Sequence, residues 1–267
     1  MKYKKIFELT KKVIILTGAN GFLGNYFIKG IAEHGANLAL IDIDQAKLKK
    51  LSIKLSQKYK VKCNYYVCDI TNNLQVKSTV DKIKNDFGKI DVLVNNAQGN
   101  DVIKPFEDMT LEDWRKTSSV NEEGIFLVSQ AVGSLMSKQK SGGSIIQISS
   151  IYGVVAPDHR IYENSVFNNK KMGSTAVYSF TKAGIIGLTK YLSTYWAEKG
   201  IRVNCITPGG IESNQNEVFK ANYSSRIPLK RMGKPDEMVG GLIFLASNSS
   251  SYITGHNLII DGGLSAW

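Results

Sequence analysis

Val13-Ile14-Ile15-Leu16-Thr17-Gly18-Ala19-Asn20-Gly21-Phe22-Leu23-Gly24 is the stretch that decides how this chain folds. Four consecutive apolar residues before a glycine-rich turn read as a strand buried on both faces, the habit of parallel sheets. The glycines permit a tight turn, and residues 24–34 continue with a helical pattern. A strand that turns directly into a helix offers free N–H groups and a favourable dipole to a pyrophosphate. Gly18, Asn20, Gly21, Phe22, Leu23 and Gly24 are therefore candidate dinucleotide contacts. Asp42 closes the next apolar run, about 20 residues further on, where this kind of site needs an acidic group for the ribose. Its carboxylate can accept from both ribose hydroxyls of NAD and would repel the 2′-phosphate of NADP. NAD is the expected cofactor, with NADP less favoured. The competing role for Asp42 is a helix N-cap, since Asp44 and Gln45 follow.

The alternation continues to the C-terminus. Apolar runs at 37–41, 62–67, 91–95, 144–149, 202–207 and 257–260 read as further strands. Helical patterns occupy 45–59, 74–87, 111–139, 175–200 and 235–245. Continuous apolar strands separated by helices imply an α/β fold, a Rossmann-like doubly wound parallel sheet of about seven strands with helices on both faces. There is no internal repeat, low-complexity segment or linker, so residues 1–267 read as a single domain.

Composition narrows the function. The chain has 267 residues, 43% hydrophobic and 21% charged, enough for one full core. The basic start is followed only by Val13 to Leu16 as an apolar run, too short for a signal peptide or spanning helix. Cys63, Cys68 and Cys205 show neither C-x-x-C nor zinc spacing, so no metal is expected and a reducing cytoplasm is. The net charge of +11 is spread over polar helix faces such as 47–62, without arginine stripes or interleaved aromatics. That pattern argues for a solvated surface and against nucleic-acid binding, while leaving attraction for acidic or phosphorylated small substrates.

Tyr178-Ser179-Phe180-Thr181-Lys182 carries the chemistry. Residues four apart share a helix face, so Tyr178 and Lys182 can point into one pocket. A phenol ionises near pH ~10, and a neighbouring cation lowers that value toward one useful for proton transfer. Such a pair alone is a common coincidence; the rest of the chain gives it weight.

Taken together, these motifs resemble the short-chain dehydrogenase/reductase family along nearly the whole chain, from Lys12 onward. Cys68-Asp69-Ile70-Thr71 is similar to its adenine-contacting segment, bringing in Asp69 and Ile70. Asn95-Asn96-Ala97 resembles its N-N-A-G motif, bringing in Asn96 and Ala97. Asn121 falls on its helix asparagine. Ser149-Ser150 ends the fifth strand where the catalytic serine lies, and register against Gly153 favours Ser150. Tyr178 and Lys182 fall on Y-x-x-x-K. Pro208-Gly209-Gly210-Ile211-Glu212-Ser213 is similar to the segment flanking the nicotinamide, through Pro208, Gly209, Ile211 and Ser213. Asp261-Gly262-Gly263 resembles the C-terminal signature. The resemblance implies a cytoplasmic NAD-dependent oxidoreductase acting on CH–OH groups. It also implies a homodimer or homotetramer built through long central helices.

Three departures stand out. Phe22 replaces the glycine usual in the single-domain branch, and Gly21 gives a spacing like the longer sugar-nucleotide-modifying branch. Gln98 replaces the last glycine of N-N-A-G and becomes a candidate substrate contact. The interval from Ser150 to Tyr178 is 28 residues, longer than in most relatives. The extra chain, 154–176, carries Asp158, His159, Arg160, Tyr162, Glu163, Asn164, Asn168 and Asn169. It is expected to border the substrate, with His159 or Arg160 on an anionic group; the rival is a subunit contact. With the C-terminal Gly263-Leu264-Ser265-Ala266-Trp267, it resembles members placed in flagellin modification and surface-sugar biosynthesis.

The resemblance implies hydride exchange between NAD and an alcohol or ketone, with Tyr178 as acid/base, Lys182 tuning it and holding the ribose, Ser150 on the substrate oxygen, and Asn121 anchoring a proton-relay water. Polar residues in the extra chain and in Asn214-Gln215-Asn216 favour a sugar or sugar phosphate. A 3-oxoacyl thioester of the acyl-carrier-protein type is the alternative substrate, and an NAD-binding redox sensor the non-enzyme alternative.

Overall fold

The computed structural model describes residues 5–99, 102–167 and 170–267. Asn168 and Asn169 lie outside the described residues. In chain order the elements are β1 (Val13–Thr17), α1 (Phe22–Glu33), β2 (Asn37–Asp42), α2 (Gln45–Tyr59), β3 (Cys63–Val67), α3 (Asn73–Phe87) and β4 (Val92–Asn95). Then come α4 (Leu111–Ser118), α5 (Ile125–Met136), β5 (Gly143–Ile148), β6 (Val166–Phe167), β7 (Lys170–Lys171), α6 (Ala176–Tyr195), β8 (Ile201–Pro208), α7 (Glu217–Ser225), α8 (Glu237–Ala246) and β9 (Asn257–Ile260). Seven strands form one parallel sheet in the order β3-β2-β1-β4-β5-β8-β9. The order reverses between β1 and β4, which opens the crevice where such sheets bind ligands.

Side chains alternate across each strand, so each apolar run feeds two cores. Ile14 and Leu16 of β1 pack with Phe27, Ile28 and Ile31 of α1 and Leu242 of α8. Ile15 points the other way, to Val76, Val80 and Ile83 of α3 and Val132 of α5. Trp196, just past α6, closes that second layer, where its indole lies against Gly133 with no room for a Cβ. Gly133→Ala therefore overpacks a rigid ring. It should lower the melting temperature by roughly 3–10 °C. An unchanged melting temperature would show that the indole moves aside freely.

The helical pattern at 111–139 is observed without a break to Met136, but not as one regular α-helix. A six-residue π-helical turn, Ser119–Gly124, separates α4 from α5. The turn is held by the buried Asn121, which bonds two other segments, and by Gly124, where a Cβ would meet Ile70 at 2.7 Å. The pattern over 175–200 is shortened too: α6 ends at Tyr195, and Gly200 takes a left-handed φ of 69° before β8. Helix α7 has no counterpart in the sequence reading.

Candidate active site

The motif segments follow the carboxyl ends of the parallel strands, from β3 at one edge of the sheet to β9 at the other. The turn after β1 is built for close backbone approach: Gly18 has φ +67°, and a Cβ there would meet Ala97 Cα at 2.7 Å. Gly24 lies against the Gly18 carbonyl with no space for a side chain. Position 22 meets no such restriction. Gly21 caps α1, and Phe22 begins it with its ring largely exposed, edge-on to Tyr26 at 5.8 Å. Position 22 thus needs no glycine here.

Asp42 is not the helix cap. Asp44 takes that role, accepting from Lys47 N–H at 3.1 Å, and pairs with the Lys47 ammonium at 3.0 Å. Asp42 turns toward the glycine loop, where Oδ2 accepts from the Asn20 N–H at 3.0 Å and Oδ1 from Ile43 at 2.8 Å. Oδ1 also accepts from the Asp44 N–H at 3.3 Å, so of about four acceptor positions one remains, on Oδ2, for a ribose hydroxyl. The nearest cation in sequence is already held by Asp44.

The loop after β4 is tied to the glycine turn from above. Asn96 Nδ2 donates to the carbonyls of Thr17 and Gly18 at 3.1 and 3.0 Å. Thr17 Oγ1 accepts from the N–H groups of Asn96 and Ala97, both at 3.1 Å. Thr17 is a site-building residue absent from the sequence candidates; its place as the last residue of β1 was the available signal. Asp69 lies at the exposed end of β3, accepting from Thr71, with Ile70 buried beneath it. Gln98 is exposed at the loop's outer edge.

At the end of β5 the two serines separate. Ser149 is buried and donates to the Lys182 carbonyl at 2.7 Å, a structural bond. Ser150 is half-buried and caps the short turn Ile151–Gly153. Gly153 is pressed onto α6, where a Cβ would meet Lys182 C at 2.6 Å, so Ser150 is held close to that helix. Thr175 caps α6 by accepting from the Tyr178 N–H at 3.3 Å, which places Tyr178 in its first turn. Lys182 is buried, its Nζ 5.5 Å from the centre of the Tyr178 ring and 3.2 Å from the Ile148 carbonyl, to which it donates. Asn121 Oδ1 accepts from Gly99 N–H at 2.9 Å, and its Nδ2 donates to Thr181 at 3.3 Å. Asn121 thereby joins the loop after β4 to α6.

The described residues between Ser150 and Tyr178 are held against α7 and the turn before it. Val166 N–H donates to Asn216, Asn216 Nδ2 donates to the Asn164 carbonyl, and Asn216 also caps α7. Ile161 and Tyr162 pack with Phe219 and Tyr223 of α7, and Tyr162 stacks on Phe219 at 5.7 Å. Gln215 accepts from the Ser213 N–H and donates to the Ile211 carbonyl, so the segment beyond Pro208 is anchored next to the same unit. Gly209 sits on Asp261, whose Cα would be 2.8 Å from a Cβ there.

Arg160, expected with His159 to meet an anionic group of the substrate, has a partner within the segment. Arg160 forms a forked pair with Asp158, both contacts 2.9 Å, and its side chain is 77% exposed. Arg226 shares the same carboxylate. These partners hold Asp158 at about 2, led by its bond to Arg160. Arg160 is absent from the adjoining cavity of about 1380 Å³, whereas His159 lines it. That cavity runs past Ser179 and Thr175 of the α6 start, with Ile103, Phe106, Met109 and Met172 forming an apolar wall.

Comparison with known proteins agrees with this architecture. A family model described as enoyl-(acyl carrier protein) reductase matches residues 23–265. The chain is 39% identical to the 3-oxoacyl-acyl-carrier-protein reductase FabG of Thermotoga maritima, across 96% of this chain and 99% of that one. It is 34% identical to the NADH-dependent L-xylulose reductase of Ambrosiozyma monospora, across 99% of both. A solved short-chain dehydrogenase from Leptospira borgpetersenii with bound NAD+ superposes with a TM-score of 0.85 at 39% identity, covering 97% of this chain and 94% of that chain. The chain belongs to the short-chain dehydrogenase/reductase family. It is an oxidoreductase of CH–OH groups that uses a nicotinamide dinucleotide and a small-molecule substrate. Among the described residues no helix is long and apolar enough to cross a membrane.

Proposed function

We propose that the protein is an NAD(H)-dependent dehydrogenase/reductase of a secondary alcohol or ketone in a sugar or sugar phosphate, serving surface-glycan synthesis of the flagellin-modification kind. The observation that carries the reading is Lys182 Nζ 5.5 Å from the Tyr178 ring on a helix packed against the turn that Ser150 caps, together with a glycine turn that excludes side chains at Gly18 and Gly24. Bound NAD supplies the hydride acceptor. In oxidation Tyr178 takes the hydroxyl proton, and in reduction it returns one to the carbonyl oxygen. Lys182 favours the tyrosinate and holds the nicotinamide ribose. Ser150 donates to the substrate oxygen as charge develops there. Asn121 fixes the loop and helix between which a relay water would sit. Residues 154–176 form the substrate side of a single domain. Exposed Phe126, Phe180, Tyr191 and Tyr195 on α5 and α6 support assembly as a dimer or tetramer.

Asp42 supports NAD over NADP. Catalytic efficiency with NAD should exceed that with NADP by at least about 50-fold, through like-charge repulsion of the 2′-phosphate. Asp42→Ala should narrow the ratio chiefly by improving NADP. An unmodified enzyme that prefers NADP would refute the assignment.

The L-xylulose reductase supports a sugar substrate, and the apolar wall of the large cavity favours a second reading, a 3-oxoacyl thioester. Screening NAD reduction across sugars, sugar phosphates, nucleotide sugars and 3-hydroxyacyl thioesters separates them. The highest efficiency on a thioester would remove the sugar reading.

A further inference from the structure

A pair of phenols stands beside the reacting residues with a donor left over. Tyr152 follows Ser150 by two residues, on the short turn packed against α6. Tyr162 comes from the extra chain, and its hydroxyl donates to the Tyr152 hydroxyl at 2.8 Å. Among the described residues nothing accepts the proton of Tyr152 in return. A phenol that accepts one bond is a better donor for the next, and a half-buried donor without an acceptor is costly. Burial first, and then the neighbouring phenols, push the ionisation of Tyr152 far up; Tyr178 is among the groups whose charge opposes it. Burial pushes Tyr162 up to about 12. Both therefore remain protonated donors at neutral pH. The rings cannot swing away: Tyr162 is buried, stacked on Phe219, and Tyr152 packs on the same cluster.

The reacting oxygen has two acceptor positions, and Ser150 and Tyr178 fill both. The Tyr152 proton must find another oxygen. We infer that Tyr152 hydrogen-bonds a second substrate oxygen, on the carbon next to the reacting one, and that Tyr162 orients and polarises it. The substrate class is a vicinal diol in one direction and an α-hydroxyketone in the other. Tyr152 is a specificity-determining contact and Tyr162 a positioning residue that acts through it. The extra chain between Ser150 and Tyr178 then has a chemical purpose: it delivers Tyr162. This rests on the polyhydroxylated-substrate reading above.

The test uses the intact enzyme, NADH, and two small ketones, acetoin and butan-2-one, which differ in the neighbouring hydroxyl. Wild type should favour acetoin by about 30-fold in kcat/KM, the discrimination a hydrogen-bonding site shows against a ligand lacking its partner. Tyr152→Phe should bring the two within about threefold by losing acetoin alone, and Tyr162→Phe should fall between. A merely structural role would lower both ketones together and leave their ratio intact. If the substrate reading is at fault, wild type shows no preference for acetoin or no turnover of it. If only the tyrosine assignment is at fault, the preference is present and survives Tyr152→Phe. Either result overturns the inference.

Discussion

Tyr178→Phe should lower kcat by about 10³-fold or more while NADH still binds with nearly wild-type affinity. The substitution keeps the ring and its packing in the first turn of α6 and deletes only the titrating oxygen. Lys182 remains buried, 5.5 Å from the ring centre, still donating to the Ile148 carbonyl, so the ribose-side geometry is retained. Binding and chemistry therefore separate. Cofactor fluorescence titration gives the first and steady-state turnover the second. Turnover within tenfold of wild type would mean that another group moves the proton.

The second large effect concerns the glycine turn. Gly18→Ala should weaken NAD binding by at least about 50-fold and leave a folded protein. Two costs act together. The φ of +67° puts an L-residue in the left-handed region, and the new Cβ would lie 2.7 Å from Ala97 Cα and 3.0 Å from Ala97 N. Both neighbours are backbone, pinned by Thr17 Oγ1 and Asn96, so the turn itself must move. That movement displaces the N–H groups meant for the pyrophosphate. Calorimetric titration with NAD, alongside circular dichroism, distinguishes loss of the site from loss of the fold. Unchanged affinity in a folded variant would place the cofactor elsewhere.

The sheet was legible because its signal is local. Each strand is a short apolar run, and β9 and α2 begin and end where the pattern puts them. Register prefers Ser150 to Ser149, and in the structure Ser149 is the one occupied by a buried bond to the Lys182 carbonyl. What the sequence hid is non-local. The π-helical turn arises because Asn121 is claimed by Gly99 and Thr181, partners 22 and 60 residues away. Helix α7 is short and polar apart from the face carrying Phe219 and Tyr223, whose contacts come from Ile161 and Tyr162 on the far side of α6 in sequence. Arg160 is a local case. A guanidinium two residues from an aspartate closes onto it, a pairing the composition of the segment does not reveal.

A hydride-transferring chain differs from one that merely senses the redox state of a bound dinucleotide in what becomes of the hydride. The most direct measurement follows the hydride itself. NADH deuterated at both C4 positions is incubated with the protein and a panel of ketones that includes acetoin and ketoses, and the products are read by mass spectrometry. Wild type should place one deuterium on the new carbinol carbon catalytically, and Tyr178→Phe should lose this. Tight NADH binding with no deuterium in any product would contradict hydride transfer and leave the sensor in its place.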